Sequence, residues 1–142
     1  MSATTTHAAT TTTTAGATVP TLGSLLLHGS IATVAAAATA LVAAAGQAVG
    51  ISTELSGAPI PAAGFAVMTL IFAVLGLVIA TALRRFAGHP RTAWIRTTVV
   101  LTVLSFVPDL MADAAVGTKV LLMVTHVVAA AIVIPAVARR LA

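Results

Sequence analysis

The chain has 142 residues, 59% of them hydrophobic and 7% charged, with seven Lys and Arg against three Asp and Glu and no cysteine. A soluble domain of this length leaves about a third of its unfolded surface in water, which so few polar residues cannot cover, so lipid is the solvent for most of the chain. The missing cysteines exclude disulfide frameworks, thiolate metal sites and dithiol redox chemistry, and basic residues gathered at the ends of apolar runs describe membrane topology rather than a nucleic-acid surface.

Residues 1–21 begin MSATTTHAATTTTTAGATVP and offer no periodic apolar face, which predicts a disordered Thr-rich tail. No basic stretch precedes the first apolar run, so that run is expected to be retained rather than cleaved as a signal peptide. A helix rises about 1.5 Å per residue and the hydrocarbon is about 30 Å thick, so each crossing needs about 20 apolar residues. Within a domain spanning 22–142, four segments qualify: about 24–49, 61–83, 93–110 and 119–138. The expected fold is an all-α integral membrane four-helix bundle.

In the first span Gly46 and Gly50 form a GxxxG, and in the second Gly76 and Ala80 form a small-xxx-small pair; either spacing lets helices approach closely. Between these spans VGISTELSGAPIP reads as a loop, with Pro59 and Pro61 opening the second helix. The next turn, RRFAGHPR, carries His89 as a loop histidine, and Arg96 follows in the first turn of the third span, where it can snorkel to the headgroups. Arg84, Arg85, Arg91 and Arg96 lie in this connection and Arg139 and Arg140 after the fourth span. The remaining connections carry Glu54, Asp109, Asp113 and Lys119. The positive-inside rule therefore places both termini in the cytoplasm, with Arg84, Arg85, Arg91, Arg139 and Arg140 set to meet anionic lipid headgroups.

In the third span Thr98, Thr102, Ser105 and Asp109 recur at helical spacing and share one face, and in the fourth so do Lys119, Met123 and His126. Seven residues put His126 about 10 Å below Lys119, inside the hydrocarbon. A histidine there has two readings. The first is structural: a neutral ring hydrogen-bonds Thr102 or Ser105 and ties two helices together. The second is chemical: Asp109 orients or protonates the ring for acid/base work. Asp109, next to Pro108, is expected at a helix end facing solvent. No metal site or cofactor is predicted; His28 and His126 fall at different depths, which also disfavours a bis-histidine haem.

The stretches GLVIATALRRFAGHPRTAWIRTTVVLTVLS and GTKVLLMVTHVVAAAIVIPAVARR resemble a family of small actinobacterial four-span integral membrane proteins of unknown function, domain of unknown function 6069. A basic turn before a Trp-led third span and Lys119, His126, Ile134 and Pro135 of the fourth carry the resemblance. It covers about Leu22 to the C-terminus and implies architecture without an activity. A looser similarity is to DoxX-like four-helix proteins.

The first functional reading is a small interaction or accessory subunit in the bacterial cytoplasmic membrane. Its expected partners are membrane lipids and a homo-oligomer or larger membrane complex, with no nucleic acid. The alternative is an intramembrane acid/base enzyme on a polyprenyl, quinone or polyketide. His126 would be its acid/base, Asp109 the ring's partner, and Lys119 or Glu54 the group that polarises the substrate. A proton-coupled exporter ranks third, because that chemistry wants a carboxylate well inside a helix.

Overall fold

Helix α1 (Leu22–Ala48) is built on an Ala-rich run of high helix propensity and stops where the backbone turns left-handed. Gly50 has φ +84°; its N–H donates to Gln47 O at 3.0 Å and the N–H of Ile51 to Gly46 O at 2.9 Å, the paired bonds of a Schellman ending. A computed structural model of the chain describes residues 22–141, with side chains from residue 29, so the Thr-rich tail and the His28 side chain lie outside the described residues.

The connection that follows is a small hairpin. Strands β1 (Glu54–Leu55) and β2 (Ala58–Pro59) pair antiparallel, Leu55 opposite Ala58. Ser56 and Gly57 between them both have positive φ, 51° and 78°, as a two-residue type I′ turn requires. Gln47 Nε2 donates to Thr53 Oγ1 at 3.0 Å and so ties the hairpin to the end of α1.

Helix α2 (Ala62–Phe86) starts behind Pro61 and ends with Arg84 and Arg85 in its last turn, where cations suit the helix dipole. It therefore runs three residues beyond the expected boundary. Helix α3 (Pro90–Met111) has Pro90 at its first position and spans 22 residues, enough for a full crossing. Helix α4 (Val116–Ala138) begins three residues earlier than expected. All four helices are long and apolar enough to cross a membrane. Among α2 residues only Phe65 and Ala80 are buried, and Val67, Met68, Ile71, Phe72 and Val78 face outward, as lipid permits and water does not.

Each helix packs against its chain neighbours and α1 closes the ring on α4, giving an up-and-down four-helix bundle with the α2–α3 seam the lighter one. The hairpin and the α3–α4 turn meet at one end: the N–H of Ser56 donates to Asp113 O at 2.9 Å, and Thr118 Oγ1 donates to Ser52 O at 2.6 Å. At the other end Ala80, Trp94, Val137, Ala138 and Leu141 form a buried cluster. Between the ends, α1 and α2 are joined by the hydroxyls of Thr39 and Thr69, 2.8 Å apart, with Thr39 fully buried.

The small residues act inside this bundle. A Cβ on Gly46 would stand 2.9 Å from the side-chain methyls of Leu121 on α4, and one on Gly76 would meet the Trp94 ring at 3.6 Å. Gly46 is thus the seat of Leu121, while Gly50 serves the helix ending.

Candidate functional site

Asp109 and His126 meet between α3 and α4. The two helices are antiparallel across a short turn, and every Cα–Cβ bond tilts toward its own helix N-terminus. Asp109, near the end of α3, therefore leans into the bundle, and His126, deeper in α4, leans back toward the turn. Their side chains close to 3.1 Å between Nδ1 and Oδ2, the one ion-pair contact among the described residues.

The ring is held from a second side. Nδ1 lies 2.9 Å from Leu122 O, one turn back on α4. A carbonyl oxygen only accepts, so a proton sits on Nδ1, and whenever the ring is neutral its lone pair is on Nε2. The Nδ1–H is aligned with Leu122 O, which leaves Asp109 Oδ2 close to the nitrogen but without a hydrogen bond of its own. The Asp109 side chain is 10% exposed, whereas the imidazole side chain is 35% exposed. Solvent access at the helix end, expected for Asp109, is overturned by this burial against His126 of α4.

The hydroxyls expected to engage His126 bond within their own helix. Thr102 Oγ1 donates to Thr98 O at 2.8 Å and Ser105 Oγ to Thr102 O at 2.7 Å. In an apolar helix surface the nearest acceptor for a short hydroxyl is the preceding turn's carbonyl, and both take it. Lys119 Nζ donates to Leu110 O at 2.9 Å, closing the last turn of α3. Glu54 is exposed on β1, its N–H bonded to Ser52 Oγ at 3.1 Å. The structure thus brings together Asp109 and His126, sets Lys119 on the end of α3 as a cap, and leaves Glu54 on the hairpin.

Trp94 carries a polar link that its position alone did not announce. It is 1% exposed, and its Nε1 donates to Ile134 O on α4 at 3.1 Å. No local pattern marks Ile134 O as the acceptor, since Pro135 lacks the N–H that would bond Ala131 O and leaves Ile134 O unaffected.

His89 sits at the start of α3, exposed and without a capping bond from its side chain. Arg84, Arg85, Arg91, Arg139 and Arg140 are exposed at the same end of the bundle.

The chain belongs to a family described as a family of unknown function, DUF6069, whose model matches residues 20–142. No curated protein and no solved structure matches it.

Proposed function

We propose that this four-span protein serves the bacterial cytoplasmic membrane as a small interaction or accessory subunit, with both termini in the cytoplasm. The observation that supports this reading is how its intramembrane polar groups are occupied. Thr98, Thr102 and Ser105 bond their own helix, Lys119 closes the end of α3, and Asp109 with His126 joins α3 to α4. Groups engaged in this way fix the bundle's shape. The surface then acts through that shape and through the hairpin docked on the α3–α4 turn. The test is to express His126→Gln and Asp109→Asn in the protein's own host. Each folded variant is expected to complement the deletion strain. Loss of complementation by a folded, membrane-inserted His126→Gln chain would count against the reading.

A second reading rests on one observation. Asp109 Oδ2 is buried, lacks a hydrogen bond and stands 3.1 Å from a ring that is partly accessible. A carboxylate behind Nδ1 and a free lone pair at Nε2 are what an acid/base dyad requires. On this reading the substrate is a lipophile approaching Nε2 from the bilayer.

A further inference from the structure

The arginines and carboxylates of the bundle are segregated. Arg84, Arg85, Arg91, Arg96, Arg139 and Arg140 lie toward the α2–α3 turn and the end of α4, and Glu54, Asp109 and Asp113 toward the opposite end. Among the described residues none of these arginines has an ion-pair partner. Six like charges at one membrane boundary need counter-anions that the described residues do not supply.

Two of them share an open surface crevice. Arg91 in the first turn of α3 and Arg139 just after α4 line a cavity of about 320 Å³, whose other walls are Ile95, Ile134, Pro135 and Ala138. The walls are held in place by the bond from Trp94 Nε1 to Ile134 O, which fixes the start of α3 against the end of α4. The start of α3 has no side-chain cap, so the positive end of its dipole is open to an anion. The competing negative end of α4 is muted, because the N–H groups of Arg139, Arg140 and Leu141 already bond Pro135 O, Val137 O and Ala138 O.

We propose that this crevice binds one anionic phospholipid. The phosphate takes the guanidinium groups of Arg91 and Arg139, which suit its oxygens better than ammonium groups do, and the start of one acyl chain lies along Ile95, Ile134 and Pro135. The apolar walls select a lipid over a bare anion, since inorganic phosphate gains nothing from them. Of the five arginines that the sequence assigns to headgroups, these two form a specific site, and the others meet lipid as a diffuse field. This inference is independent of whether the protein is an accessory subunit or an enzyme.

The test is native mass spectrometry of the full chain in micelles, titrated with phosphatidylglycerol, with phosphatidylcholine of the same acyl chains, and with inorganic phosphate. One phosphatidylglycerol is expected to be retained in preference to phosphatidylcholine. Replacing both residues, Arg91→Gln with Arg139→Gln, is expected to weaken it about tenfold or more, as loss of charge-assisted hydrogen bonds implies. The control pair Arg84→Gln with Arg85→Gln, outside the crevice, is expected to change it less than about twofold, as screened surface charges do. Equal losses in both double variants, or no loss in the first, would overturn the site. Inorganic phosphate that competes as well as the lipid would overturn the lipid assignment. If the first double variant shifts the emission of Trp94, and so disturbs the fold, the pair Arg91→Lys with Arg139→Lys replaces it. A loss of about threefold there supports a geometric phosphate contact, and no loss contradicts it.

Discussion

His126 Nδ1 stands 3.1 Å from Asp109 Oδ2 while the same nitrogen faces Leu122 O at 2.9 Å. The ring nitrogen thus hydrogen-bonds its own helix and stands within ion-pair distance of a carboxylate on α3. The contact clasps two antiparallel helices, and in hydrocarbon no water would substitute for a lost partner.

Removing one half of the clasp strands the other. Asp109→Leu and His126→Leu are each expected to destabilise the bundle by about 1–2 kcal/mol, and the double variant to recover about 1 kcal/mol, because a matched apolar pair is often as stable as a buried ionic one. A double-mutant cycle of unfolding in micelles measures this coupling. Strictly additive losses would mean that the two side chains stabilise the fold separately.

The Trp94 bond gives a second prediction. Trp94→Phe keeps most of the ring and loses the donor to Ile134 O, so it is expected to cost about 1 kcal/mol. Trp94→Ala empties the cluster with Ala80, Val137 and Ala138 and is expected to cost about 3 kcal/mol or more. Unfolding midpoints of the two variants provide the check, and equal costs would show that the hydrogen bond carries little.

Gly46 and Gly50 are separable by rescue. Gly46→Ala brings a methyl against Leu121 and is expected to be relieved by Leu121→Ala, whereas Gly50→Ala, strained at φ +84°, is expected to cost about 1 kcal/mol whatever stands at residue 121. Unfolding of the single and double variants distinguishes the two causes. A Gly46→Ala defect that Leu121→Ala leaves unchanged would contradict the seat.

The chain contains no cysteine, so single thiols report its orientation. Asp113→Cys is expected to react with an impermeant maleimide in intact cells, and Arg85→Cys only after permeabilisation. The opposite pattern would invert the proposed topology.

The spans were legible because lipid imposes a strict demand: about 20 apolar residues for each crossing, with charges kept to the ends. The spacing of Asp109 along α3 and of His126 along α4 showed which residues share a helix face. It did not give the rotation of the two helices or the lean of the side chains across the turn, which together decide that His126 meets Asp109 rather than Thr102 or Ser105. GxxxG was ambiguous for a local reason, since the same Gly50 suits a packing motif and a left-handed helix ending. The bond between Thr39 and Thr69 joins residues thirty apart in sequence, and no local pattern in an Ala-rich helix marks such a partner. The type I′ hairpin carried a signal in Ser56-Gly57, but two-residue strands are too short to show alternation.

Native mass spectrometry with an absorbance spectrum, on the full chain gently extracted from its own host's membranes, tests the proposed role most directly. An accessory subunit is expected to emerge at fixed stoichiometry with a protein partner and with no bound small molecule other than phospholipid. A chain that emerges without a protein partner, carrying one equivalent of a polyprenyl, quinone or polyketide that His126→Gln releases, would contradict that role and establish the site as chemical.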